Sequence, residues 1–418
     1  MPGVNPGTRD GRDPYAVHVQ ARSTRRSDAG RDAWPSYVGV AAIGYAMYGV
    51  GAVAPYLRTQ LGLSDAQVGL HSTGMAVGLV LTGTVTPALA RRFGELAVRG
   101  VAIGGLAAAI VALAVAPSLP VTLAACVLIG FGTGTILGYA NAVLARTGGR
   151  LARLRVARAN LWAMVTAFAC PIAVASAVRG GLPWGLGILP ELGLLLVLAM
   201  DLRGGRRFDR GAEMTAARSR LPSGYWLSWA FLVAAIAVEF SIVFWGATLI
   251  QRRTGVDTPT ATLLGGLFMG GMFFGRLGQS FGLGTGGDLR RPAATGVLLA
   301  AAGATIAWIS TMPILSAGGL FVAGLGVAGL YPLGVAAALA AAPRQPALAG
   351  TRLTLASGTA ILLAPLALGV VADATGVVMG WGVVVGLAIM ALILVAALPA
   401  GGDLPSVGSP PARAGNRS

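Results

Sequence analysis

The chain has 418 residues, of which 55% are hydrophobic and only 11% charged, with a mean hydropathy of +0.74 and a net charge of +16. Soluble globules carry about 25% charged residues, so the composition excludes a soluble domain and predicts a polytopic membrane protein. All 31 basic residues are arginine, and without lysine there is neither a Walker A ATPase nor a lysine Schiff base.

In chain order, residues 1–34 are polar, with six arginines and four aspartates, and read as a disordered cytoplasmic tail. Apolar stretches long enough to cross a bilayer follow. Six spans are predicted at about 36–58, 66–90, 98–116, 119–145, 157–178 and 183–201. Six more are predicted at about 226–250, 258–280, 291–311, 314–341, 350–371 and 378–398. The expected organisation is a first bundle over 35–201, a cytoplasmic linker over 202–224, a second bundle over 225–398 and a cytoplasmic tail over 399–418.

The arginines lie between the spans, which identifies positive-inside topology and not nucleic-acid binding as the reason for the basic balance. With the N-terminus inside, only Arg58, Arg179, Arg252 and Arg253 fall outside, while Arg276 lies within a span. Both termini are therefore expected in the cytoplasm. Cys126 and Cys170 sit in apolar stretches and read as small core residues. No metal-ligand spacing appears, and no cofactor is implied.

The second half echoes the first. Arg58 and Arg252, Arg158 and Arg352, Gly130 and Gly324, and Pro171 and Pro365 all stand 194 residues apart. Near the second span of each half the register slips by one, pairing Gly62-Leu63-Ser64 with Gly255-Val256-Asp257.

Six plus six spans, inside termini, a basic central loop and parallel repeats resemble the major facilitator superfamily over about residues 36–398. The resemblance implies an all-α membrane protein of twelve transmembrane helices in two pseudo-symmetric six-helix bundles. It also implies a midplane site between the bundles and rocking alternating access. Two family signatures depart here. The loop after the second span holds Pro87, Arg91, Arg92, Phe93 and Gly94, with arginine where the family prefers aspartate. Around Cys170-Pro171, the spaced glycines of the antiporter signature are missing.

Glu239, midway along the seventh span, is the residue expected to carry chemistry. A carboxylate at that depth costs about 2.5–3.5 kcal/mol on insertion scales and usually faces a bundle interior or a watery cavity. There it can load and release a proton as the cavity changes sides, so it is the expected proton-coupling group. Its repeat mate is Tyr45. Tyr45 and Tyr48, three apart on one helix, are expected substrate contacts, together with Tyr139, Asn141, Trp245 and Tyr331. Arg158, Arg276, Asp288 and Arg352 are expected at the gate. For Arg276, snorkelling to the interface and binding an anionic group are both open. Glu191 also lies within a span, after Pro190, with a polar interhelical contact as the alternative to a role in transport.

The resulting expectation is a monomeric secondary transporter in a bacterial inner membrane, with lipid, protons and a small organic molecule as partners. An aromatic cavity poor in charge favours efflux of an amphipathic cargo. Proton-coupled uptake of a sugar or metabolite is the alternative. A non-transporting receptor or an enzyme is the minor one, because no cluster of catalytic residues appears.

Overall fold

The computed structural model describes residues 33–145, 149–203, 221–280 and 289–398. Nearly all of the expected N-terminal tail, most of the linker, the C-terminal tail and Asp288 lie outside these residues.

The described residues form twelve helices: α1 (Trp34–Leu61), α2 (Asp65–Phe93), α3 (Glu95–Val115), α4 (Leu119–Ala145), α5 (Gly149–Arg179), α6 (Glu191–Arg203), α7 (Ser223–Thr254), α8 (Thr258–Ser280), α9 (Arg290–Ile309), α10 (Pro313–Ala341), α11 (Pro346–Thr375) and α12 (Val377–Ala397). Eleven of them, all but α6, are long and apolar enough to cross a membrane. The chain is a multi-pass membrane protein.

The helix ends follow from local chemistry. Gly62 and Gly255 stop α1 and α7 in the left-handed region, at φ 63° and 74°, where a side chain would be strained. The Ser64 hydroxyl accepts the Gln67 amide, and the Gln67 side chain accepts the Ser64 amide. This capping box starts α2.

Two elements differ from the hydropathy reading. α5 begins at Gly149, ahead of the expected 157, because the added turns are rich in arginine, which is a good helix former that hydropathy does not register. The sixth span is not one continuous helix. A 3₁₀ turn (Trp184–Gly187) and a further turn lead into α6, which has 13 described residues. Gly185 and Gly187 let this turn press against its neighbours, since an added Cβ would lie 2.1 Å from the Ala114 oxygen or 2.4 Å from the Val174 Cα.

Helix pairings in the first half recur in the second. α1 packs on α5 as α7 does on α11, α2 on α4 as α8 on α10, α3 on α4 as α9 on α10, and α3 on α6 as α9 on α12. The duplicated crossings use the same glycines. A Cβ on Gly78 would meet the Val127 oxygen at 1.9 Å and one on Gly130 the Met75 oxygen at 2.0 Å. In the second half, Gly271 would meet the Phe321 oxygen at 2.0 Å and Gly324 the Phe268 oxygen at 2.1 Å. Close backbone approach of this kind stabilises helix pairs where lipid supplies no hydrophobic drive.

The halves meet through α2 with α11, α5 with α8 and α1 with α7. Glycine sits at each crossing. Added Cβ atoms would lie 2.4 Å from the Val243 oxygen at Gly51, 2.8 Å from the Leu366 Cα at Gly69 and 2.7 Å from the Pro171 Cγ at Gly266.

Candidate functional site

Between the halves lies a crevice of about 270 Å³. Its walls come from α1, α2, α4 and α5 of the first half and from α7, α8, α10 and α11 of the second. The lining residues lie from mid-helix to the near face, where α1 starts. Toward the opposite, far face, the halves are in contact. Thr73 on α2 donates to the Leu362 carbonyl on α11 at 2.9 Å, and Thr262 on α8 donates to the Tyr56 hydroxyl on α1 at 3.3 Å. At the far surface Asp373, on α11, accepts the Asp65 amide (2.6 Å), the Ala66 amide (3.1 Å) and the Ser64 hydroxyl (2.9 Å), all at the start of α2.

Glu239 and Arg276 are the charged residues among those lining the crevice. Glu239, on α7, is 6% exposed. Tyr48, on α1 of the other half, donates its hydroxyl to Glu239 Oε1 at 2.6 Å. Its ring stacks on Phe240, with centroids 6.0 Å apart and planes 21° apart. Arg276, on α8, is half-buried and lines the same crevice, close enough for its charge to act on both Tyr48 and Glu239. A guanidinium, a phenol and a carboxyl thus gather at the seam of the two halves, with the phenol–carboxyl bond crossing it.

Tyr331 and Asn141 line the same crevice. Tyr331 stands where α10 is interrupted at Ala328 and Gly329. Pro332 has no amide to continue the helical ladder past this point. The crevice therefore brings together Glu239, Tyr48, Asn141, Arg276 and Tyr331.

It does not include the other expected contacts. Tyr45 turns into its own half, where its hydroxyl donates to the Gly187 carbonyl at 2.5 Å. Tyr139 lines a separate small side cavity with Arg99, whose guanidinium carbon lies 5.7 Å from the tyrosine ring centre. Trp245 is fully buried and donates to the Pro365 carbonyl at 2.9 Å. Arg158 and Arg352 are exposed near the ends of α5 and α11 and do not line the crevice. Glu191 is 0% exposed at the start of α6, inside the first half beside Tyr45 and Cys170, with no hydrogen-bond partner on either carboxyl oxygen.

Sequence reasoning missed Asn160 on α5 and Ser357 on α11, which also line the crevice. Both are small polar residues one turn or more inside arginine-bearing helix starts, and that position was their only signal. The Asp373 contact was missed as well, since nothing local joins a helix end to a partner 308 residues away.

No family model matches the chain, and no curated protein matches it. Solved structures do match, with identities that carry the fold alone. The nucleoside transporter NupG superposes with a TM-score of 0.66 at 13% identity, covering 88% of this chain and 98% of that one. A bacterial homolog of the human lysosomal transporter Spinster, in an inward-facing and occupied conformation, gives 0.65 at 15% identity, covering 93% and 97%. The human organic anion transporter MFSD10 gives 0.60 at 16% identity, covering 88% and 99%.

The fold is that of the major facilitator superfamily. That fold carries twelve helices in two pseudo-symmetric halves, and the paired crossings here match it. The late start of α6 follows from Pro183, Pro190 and the glycines between them.

Proposed function

We propose that the chain is a secondary transporter that moves a small organic molecule across a bacterial inner membrane by alternating access, coupled to protons through Glu239. One observation carries this reading: a crevice closed toward one face holds a buried acid whose hydrogen-bond partner belongs to the opposite half. Rocking of the halves would break the Tyr48–Glu239 bond and change the side from which the acid is reached. The similar solved structures, of a nucleoside transporter, a lysosomal-transporter homolog and an organic anion transporter, support transport as the class.

In this reading the near face is cytoplasmic, as the arginine distribution implies, and the structure corresponds to an inward-open state. Tyr48, Asn141 and Tyr331 contact the cargo. Arg158 and Arg352 contact headgroups at the near rim, and a monomer suffices. Each proton moved down the potential supplies about 2.3 kcal/mol per 100 mV.

The test uses spin labels on the purified full chain in proteoliposomes, one pair on the far ends of α2 and α11 and one on the near ends of α4 and α10. The expected result is two distance populations, with the far pair long when the near pair is short, and a pH step that redistributes them. A single rigid distance set under all conditions would overturn transport by alternating access.

A further inference from the structure

Among the described residues the crevice holds one fixed cation, Arg276, with its acid, and that pairing restricts what can occupy it. The titratable or charged groups facing Glu239 are Tyr48 from α1, Arg276 from α8 and Tyr331 from α10. From α4, α5 and α11 the lining residues bring Asn141, Asn160 and Ser357, none of which is charged. When Glu239 is ionised, its carboxylate compensates the charge of the nearby Arg276 guanidinium, and the site is neutral. When Glu239 takes a proton, the guanidinium charge is left uncompensated in a cavity walled by Ile43, Met47, Leu137, Phe240 and Ile361. An unpaired charge in such surroundings is costly, and an incoming anion relieves it.

We propose that Arg276 is the binding group for the carboxylate of an amphipathic organic monoanion, and that this anion binds together with a proton on Glu239. Three features commit the cargo to that class. The planar guanidinium matches a carboxylate by a two-pronged hydrogen bond. A single arginine balances a single negative charge. The apolar wall and the Tyr48–Phe240 stack suit a hydrophobic or aromatic body. Linkage makes the effect reciprocal, since the proton favours the anion and the anion favours the proton to the same degree. Proton and anion then leave on the same side, so an inward proton gradient drives uptake. This deepens the transporter reading above and rests on it.

The experiment is equilibrium binding of radiolabelled benzoate and 1-naphthoate to the detergent-solubilised full chain, with benzamide and benzyltrimethylammonium as neutral and cationic probes. Both carboxylates stay ionised between about pH 6 and 8, so any pH dependence in that window belongs to the protein. The expected result is carboxylate binding that strengthens as pH falls, by up to about tenfold for each pH unit. The amide and the cation are expected to bind at least about tenfold more weakly. Arg276→Gln should lose about tenfold or more in carboxylate affinity, and Arg276→Lys should recover part of it. Glu239→Gln, a fixed neutral stand-in for the protonated acid, should bind carboxylate without pH dependence. Preference for the cation, no preference for carboxylate over amide, or a pH slope surviving in Glu239→Gln would each overturn the proposal. The spin-label distances separate this failure from the broader one. Switching halves that ignore carboxylates remove the anion assignment alone, and a rigid protein that binds carboxylate removes transport alone.

Discussion

Asp373 at the end of α11 caps α2 of the opposite half, accepting the Asp65 amide at 2.6 Å. It stands in for one of the acceptors that the first turn of a helix lacks, and its charge suits the positive end of the α2 dipole. Asp65 in turn holds Arg58 by a 2.7 Å ion pair. The same offset of 194 residues that relates the halves pairs Asp373 with Arg179. Arg179, at the end of α5, donates to Thr260 near the start of α8 at 3.0 Å. The far closure is therefore built twice, once with each sign of charge.

In the proposed cycle this cap exists only while the far side is shut, so Asp373→Ala should favour the far-open state. Loss of an exposed cap costs about 1 kcal/mol, which corresponds to roughly a fivefold shift in the ratio of states. The far-face label distances report it directly. Unchanged populations would show that the α2–α11 packing closes the far side without the carboxylate.

Glu239→Gln should abolish accumulation driven by a pH step while leaving downhill exchange of cargo intact. Flux assays in proteoliposomes, with and without the gradient, read the two quantities separately. Full gradient-driven accumulation in this variant would move proton coupling to another residue, and Glu191 is the next buried acid to test.

Tyr48→Phe keeps the Phe240 stack and deletes the hydroxyl that donates to Glu239. A hydrogen bond to a charged group contributes about 1.5–3 kcal/mol, so proton-driven flux should fall by about tenfold or more. Combined with Glu239→Gln, the second substitution should add little, because the proton-driven flux that Tyr48 supports runs through the proton on Glu239 that the first substitution already removes. Additive losses would mean that Tyr48 acts on the cargo independently.

Trp245→Phe tests the opposite expectation. Trp245 ties α7 to the Pro365 carbonyl, away from the crevice. The loss of one buried bond costs about 0.5–1.5 kcal/mol and should lower the melting temperature by a few degrees without changing cargo affinity. A change in affinity at unchanged stability would return this residue to the binding site.

The fold was largely legible in the chain. Hydropathy located eleven spans, the arginine pattern and the repeat divided them into halves, and a lone mid-span carboxyl marked Glu239. The rest was hidden for physical reasons. A run that is apolar throughout reads as one helix whether or not glycines and prolines break it, which concealed the short α6. Tyr45 and Tyr48 lie on neighbouring directions of a helix that is buried nearly all round, so no polar face distinguished the one aimed at Gly187 from the one aimed at Glu239. Asn160, Ser357 and Asp373 gain meaning only from partners on other helices.

The glycines where the halves cross have a mechanical consequence. At Gly51 and Gly69 bare backbone meets the backbone of the facing helix, and at Gly266 it meets the compact Pro171 ring, so long side chains are kept out of these three crossings. In the proposed cycle these three crossings act as a plain bearing, on which one half tilts against the other with few long side chains to lift past one another. Gly69→Val would set a wedge in that bearing and prop it ajar at the far side. The same change at Gly78, whose contact with Val127 lies within one half, would loosen the first half and leave the sliding surface as it is.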